Sequence, residues 1–179
     1  MNAPFDVCIS GHRPEKLPQG RELRVIQSLL YQEIGSAVAD GAATFYTGMA
    51  RGTDLWAAEM ILQFRKTYPK IRLVCVLPFA ESISKLRGAD RYLAMTLMNA
   101  ADETVTLSEH YYPGCYRARN AYMVERSRRL IAVVTDSASG TGQTIRMAKQ
   151  KGLELRLISL EQIKSRETEQ AVIQPESGT

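Results

Sequence analysis

An α/β fold with a mostly parallel sheet, covered by helices on both faces, is predicted for this chain. Three observations predict it. Short apolar runs with strand character alternate with amphipathic runs of about ten to fifteen residues. The clearest strands, Ile71 to Leu77 (Ile-Arg-Leu-Val-Cys-Val-Leu) and Leu130 to Thr135, are apolar nearly throughout, as strands buried on both faces are. Glycine-rich and hydroxyl-rich stretches follow the strands, where open parallel sheets bind their ligands.

The elements follow in order. Phe5 to Ser10 is short and apolar and reads as the first strand. Arg21 to Ala39 places Leu23, Ile26, Leu30, Ile34 and Val38 at helical spacing, and Gly41 supplies the stop. Ala42 to Thr47 is the second strand; Leu55 to Lys66 is the helix after a glycine turn, broken by Pro69. Ile71 to Leu77 ends at Pro78, Asp90 to Ala100 reads as helix, and Glu103 to Leu107 is a weak strand. Ala118 to Ser127 is helix, Leu130 to Thr135 strand, and Gly142 to Lys151 a helix stopped by Gly152. Leu155 to Ile158 closes the series. No repeat and no Pro-, Gly- or Ser-rich linker divides the chain, so residues 1–163 read as one domain. The apolar pattern fades from Lys164, and residues 164–179 read as a flexible tail.

A chain of 179 residues can bury a substantial single core. Its 45% apolar and 23% charged residues match an ordinary soluble domain. The net charge of +4 suits anionic ligands and is too small and scattered to argue for nucleic acid alone. Three cysteines, Cys8, Cys75 and Cys115, form neither a disulfide frame nor a zinc spacing. No secretory leader and no apolar run of membrane length is evident, so a cytoplasmic location is expected, with no membrane and no metal.

The most informative stretch is Thr47-Gly48-Met49-Ala50-Arg51-Gly52-Thr53-Asp54, where a strand turns into a helix. Glycine admits close approach to the backbone, and a helix start offers free N–H groups and a positive dipole end, which together attract phosphate. The spacing is neither the dinucleotide G-x-G-x-x-G pattern nor a P-loop. Asp54 reads either as a ligand contact or as a cap or first-turn acid, a role Thr53 could also fill. Glu59, further along that helix, is either directed at the ligand or an ordinary exposed glutamate. Ser10-Gly11-His12-Arg13-Pro14 follows the first strand; Arg13 can grip a phosphate or carboxylate, the alternative being a turn in which it pairs with a local acid. His12 is a weaker candidate, since a loop histidine is often only solvated. Asp136 to Thr144 (Asp-Ser-Ala-Ser-Gly-Thr-Gly-Gln-Thr) forms a second potential anion cradle. Tyr111, Tyr112, Tyr116, Arg117, Arg119, Asn120 and Tyr122 could stack a base and hold a phosphate, or wall the core. Arg126, Arg128 and Arg129, with Arg117, read as a solvated helix face. No H-E-x-x-H, G-x-S-x-G or Ser-His-Asp arrangement is present.

In this order, Ser10-Gly11-His12-Arg13-Pro14, Gly48 to Asp54 followed by Trp56-Ala57-Ala58-Glu59, Leu77-Pro78-Phe79, Arg119-Asn120, and Ser139-Gly140-Thr141-Gly142-Gln143-Thr144 resemble the YpsA-like branch of the SLOG superfamily. The resemblance runs from about Val7 to Ile158. It implies a Rossmann-like three-layer α/β/α sandwich and kinship with the DNA-processing protein DprA and the LOG phosphoribohydrolases. It also implies binding of a nucleotide or a derivative such as NAD or ADP-ribose, with Gly11, Arg13, Gly48, Gly52, Asp54, Asn120, Gly140 and Thr141 near the ligand. The LOG motif Pro-Gly-Gly-x-Gly-Thr-x-x-Glu carries a catalytic glutamate that the Ser139 to Thr144 stretch lacks. The Arg119-Asn120 and Ser-Gly-Thr pairing is closer to the DprA pattern.

The function expected is therefore binding of a nucleotide-type ligand. The ligand set is Gly11, His12, Arg13, Gly48, Arg51, Gly52, Thr53, Asp54, Arg119, Asn120, Ser139, Gly140, Thr141 and Thr144. Two alternatives stand beside it. One is hydrolysis of a nucleotide's glycosidic or phosphate bond, with Glu59 or Asp54 as acid/base. The other is DprA-like binding of single-stranded nucleic acid. A homodimer is an expectation from common symmetry alone.

Overall fold

The computed structural model describes residues 3–159. Strands and helices alternate as β1 (Phe5–Gly11), α1 (Arg21–Ala39), β2 (Ala42–Thr47), α2 (Thr53–Thr67), β3 (Arg72–Leu77), α3 (Gly88–Ala100), β4 (Glu103–Thr106), α4 (Cys115–Glu125), β5 (Arg129–Val134), α5 (Gly140–Lys151) and β6 (Glu154–Ser159). Short 3-10 segments cover Pro14–Lys16 and Ala80–Lys85. The domain end expected at 163 and the tail at 164–179 lie outside the described residues.

The six strands among the described residues are all parallel, in the order β4-β3-β2-β1-β5-β6. The chain steps outward from β1 to β4, then returns to lay β5 against the other side of β1. That reversal assigns the helices to faces. Helices α1, α2 and α3 pack on one face over Val7, Ile9, Phe45, Leu73, Cys75 and Ile131. Helices α4 and α5 pack on the other over Cys8, Val74, Val76, Leu130 and Ala132. Neighbouring residues of one strand, such as Val74 and Cys75, enter opposite cores because side chains alternate across a sheet. Both cores need filling, so the central strands are apolar throughout. Each fully buried Leu or Ile, among them Leu30, Ile34 and Ile61, contributes about 1.5–3 kcal/mol. β4 is mostly exposed on the sheet edge, which accounts for its weak apolar signal.

Helix starts differ most from the sequence expectation. α5 begins at Gly140, not Gly142, because Ser139 caps it: the Gly142 N–H donates to Ser139 Oγ at 3.2 Å. α4 begins at Cys115, after Gly114 takes a left-handed conformation at φ 93°. Cys115 is thereby buried in the first helical turn instead of a loop. Arg129 is also not on a solvated face. It is buried at the start of β5, donating from Nη2 to Asp40 and from Nε to Glu154, both at 2.8 Å. These bonds tie the end of α1 and the start of β6 to β5.

Candidate functional site

In an open parallel sheet, strands leaving in opposite directions open a crevice beyond their carboxyl ends. Here that switch point lies between β1 and β5. A cavity of about 440 Å³ occupies it. It is lined by the ends of β1 and β5's following loop, the start of α5 and one face of α4.

The β1 end is held by close packing. Gly11 pairs with Val133 of β5, and a Cβ at Gly11 would overlap the Thr53 side chain. Thr53 is fully buried, and its Oγ1 donates to the His12 carbonyl at 3.1 Å. His12 is 3% exposed. The Asp136 backbone N–H donates to its Nε2 at 3.3 Å, and Thr141 Oγ1 lies 3.4 Å from Nδ1. With Nε2 accepting, Nδ1 carries the proton and the imidazole is neutral. Burial lowers the His12 pKa, Lys16 lowers it further, and Asp136 opposes both.

The glycine-rich loop after β2 is filled by the chain's own groups. A Cβ at Gly48 would coincide with the Arg119 guanidinium, whose Nη1 donates to the Gly48 carbonyl. Asp54 Oδ2 accepts from the Ala50 N–H at 3.2 Å and lies 3.4 Å from Arg119 Nη1. The anion at the start of α2 is therefore the Asp54 carboxylate. The space beside Gly48 is thus taken up by a buried ion pair of the chain's own residues. Burial pushes the Asp54 pKa up, with Arg119 opposing, and pushes the Arg119 pKa down, with Asp54 opposing. Among the described residues, Arg119 Nε is buried without a hydrogen bond.

Around this pair the cavity wall carries charges of both signs. Arg13 and Lys16 stand at its edge with Glu15. Among the described residues no carboxylate lies within ion-pair distance of Arg13. Arg51 is held away by Glu15 and by Asp90, the latter at 2.7 Å. On the opposite wall Asn120 Nδ2 donates to Thr144 Oγ1 at 2.9 Å, joining α4 to α5. Thr144 in turn donates to the Gly140 carbonyl at 3.0 Å. A second cavity of about 260 Å³ adjoins the first and shares Arg13, Ala50, Tyr116 and Arg119 with it. Among the described residues no cluster of His, Cys, Asp and Glu could hold a metal ion, and no helix is long and apolar enough to cross a membrane.

A profile of the YspA SLOG family matches residues 7–167. The chain belongs to this family. A UPF0398 protein of Halalkalibacterium halodurans is 27% identical over 164 residues, covering 86% of this chain and 87% of the relative. A UPF0398 protein of Bacillus cereus strain B4264 is 24% identical over 153 residues, 82% of this chain and 83% of the relative. Among solved structures, DNA processing protein A from Helicobacter pylori, described for its single-stranded DNA binding mode, superposes with a TM-score of 0.59 at 20% identity. That match covers 86% of this chain and 65% of the solved one, and at this identity it shows a shared Rossmann-like fold.

In this SLOG family member, nine of the residues expected at a ligand line the first cavity: Gly11, His12, Arg13, Asp54, Arg119, Asn120, Ser139, Gly140 and Thr141. Gly48 and Arg51 line the second. Gly52, Thr53 and Thr144 line neither: Gly52 holds φ 81° before α2, and Thr53 and Thr144 are hydrogen-bonded inside the fold. Glu59 lies more than a turn along α2, exposed and outside both cavities. Lys16, Ser82 and Lys85 were not foreseen. Ser82 and Lys85 stand just past the loop after β3, so the rule of strand ends, extended by one helical turn, reaches them. The tyrosine cluster divides. Tyr111 and Tyr116 meet Phe79 edge-on at 5.6 and 6.2 Å near the cavities, whereas Tyr122 stacks under Arg126 at 3.5 Å on the far side. Cys8 and Cys75 are buried with pKa values pushed up to about 12, so neither is a ready nucleophile.

Proposed function

We propose that the chain binds a nucleotide-type ligand in the crevice between β1 and β5. The observation that supports this most is Arg13, a guanidinium with no ion pair among the described residues, at the mouth of a switch-point cavity whose opposite wall is the capped start of α5. Arginine grips phosphate through its planar fork, and a helix start adds N–H donors on the other side. The neutral His12 and the amide of Asn120 supply polar contacts without adding charge. Asp54 is the anion of an internal pair, so the reading assigns it positioning of Arg119 and no proton transfer. Calorimetric titration with AMP, ADP, NAD and ADP-ribose tests the reading. Saturable heat with at least one nucleotide is expected, weakened by Arg13→Ala. Silence from the whole panel at millimolar concentration overturns it.

A second reading, single-stranded nucleic acid, is supported by exposed rings beside the cavities. Tyr111 is 56% exposed, and Tyr112 and Tyr116 are exposed with it. Such rings stack bases without regard to sequence. The Helicobacter pylori protein of the same fold is described as a single-stranded DNA binder. This reading requires binding that falls steeply with salt, and a gel shift that stays negative at low salt removes it.

A further inference from the structure

β4 is the outermost strand on its side of the sheet. Among the described residues it pairs with β3 alone, so one side of its backbone offers N–H and C=O groups to no neighbouring strand. An open row of this kind is a template for a further strand. Lysine and proline, which blunt such edges, are absent from Glu103-Thr104-Val105-Thr106, and Glu103 Oε2 lies 3.6 Å from Arg72. A ladder of 4 residues is still too little to hold a partner, since a stable interface buries roughly 1,200–2,000 Å² in total.

Both flanks of this edge supply more. On one face α3, the helix between β3 and β4, has Tyr92 77% exposed and Met95 49% exposed. On the other face α4 packs on β1 and β3, and α5 on β1, β5 and β6, which leaves the corner at β4 without a helix of its own. Val105, Leu107, Tyr46 and Tyr122 are only half-buried around that corner. An extended peptide would cover the open backbone and neither flank. A second copy of this chain, turned about a two-fold axis normal to the sheet, covers all three strips at once: β4 on β4, α3 on α3 and corner on corner. An antiparallel ladder centred on Val105 keeps every side chain on its own face. It sets Val105 against Val105 and Thr104 against Thr106 across the axis, and Glu103 opposite Leu107, so no like charges meet.

We propose that two copies of this chain associate through the β4 edge, forming one continuous sheet in which α3 of each copy packs on the other through Tyr92 and Met95. Because the ladder is antiparallel, the carboxyl ends of the two sheets point in opposite directions. The crevices therefore open at opposite ends of the dimer, and neither is covered. This interface does not depend on the nucleotide reading.

The test is sedimentation velocity of the full chain from about 1 to about 200 μM, with amide hydrogen exchange followed over the same range. Wild type is expected to pass from monomer to dimer within it, and the β4 amides to exchange more slowly as the dimer forms. Two variants alter exposed positions of the interface. Thr104→Lys combined with Thr106→Lys sets lysines opposite each other across the axis, and Tyr92→Glu charges the α3 contact. Each is expected to raise the dimer dissociation constant at least about tenfold, whereas Gln150→Lys, exposed on α5, leaves it as in wild type. A monomer throughout, with β4 amides exchanging freely, overturns the second copy as the occupant of this edge. A monomer whose β4 amides are already protected shows the edge covered within the chain itself and overturns the proposal equally. A dimer that both interface variants leave intact, with β4 exchange independent of concentration, places the contact elsewhere and overturns it too.

Discussion

His12 Nε2 accepts the backbone N–H of Asp136 at 3.3 Å, joining the loop after β1 to the loop after β5 across the switch point. The bond requires the neutral ring, because a protonated imidazole has no acceptor. One buried side chain thus fixes the spacing of the two loops that wall the first cavity.

This makes stability depend on pH in a defined direction. Burial lowers the folded-state pKa of His12 below its ordinary 6.5. Below that value the unfolded chain binds the proton more readily than the folded one, so acid favours unfolding. The His12 contribution is fully present above pH 6.5 and is lost as pH falls from there toward the folded-state value. Urea midpoints measured from pH 7.5 to 5 are expected to fall, with a shallower slope in His12→Gln, which keeps an acceptor but does not titrate. Parallel profiles would show that His12 is not the group responsible.

Gly48→Ala is expected to cost about 1–3 kcal/mol, since its Cβ coincides with the Arg119 guanidinium and the pair must shift. Gly140→Ala is the control: nothing lies within 4 Å of its Cβ. Its unfolding free energy is expected to stay within about 0.5 kcal/mol of wild type. Equal effects from the two substitutions in chemical denaturation would contradict the Gly48–Arg119 packing.

Breaking the buried pair from one side is expected to be severe. Asp54→Ala strands the Arg119 charge and leaves the Ala50 N–H without its acceptor, at a cost of about 3–5 kcal/mol. Asp54→Asn keeps an acceptor for Ala50 and should lose less. A thermal midpoint for Asp54→Ala equal to that of wild type would dismiss the pair as a structural element.

Arg13→Ala separates binding from folding. Its guanidinium makes no ion pair among the described residues, so the thermal midpoint is expected to stay within a degree or two (about 0.5 kcal/mol) of wild type. Nucleotide affinity is expected to drop about ten- to hundredfold, the worth of a charge-assisted contact. Calorimetry on the two proteins decides, and unchanged affinity removes Arg13 from the site.

Much of this molecule follows from local rules. Apolar runs such as Leu73 to Leu77 specify buried strands, the spacing of Ile26, Leu30 and Ile34 specifies a helix, and the strand–helix alternation specifies a parallel sheet. The rule of strand ends points to the loops at the carboxyl ends, and Gly11, Arg13, Asn120 and Gly140 line one cavity there. What occupies the space beside each loop was not readable. A glycine at 48 announces a close approach, yet the approaching group is Arg119, brought from α4 by the return of the chain across the sheet. Thr53 and Thr144 carry hydroxyls suited to a ligand, and packing spends both inside the fold. Glu59 lies on the exposed face of α2, a rotation that the packing of the helix on the sheet sets. Turn chemistry and periodicity are properties of neighbours in sequence, and they determine the elements and their order. The partner of a buried polar group is a property of neighbours in space. Only the assembled sheet and its two helical layers decide which charge is paired with Asp54, that Arg13 has no ion pair among the described residues, and that a second cavity lies beside the first.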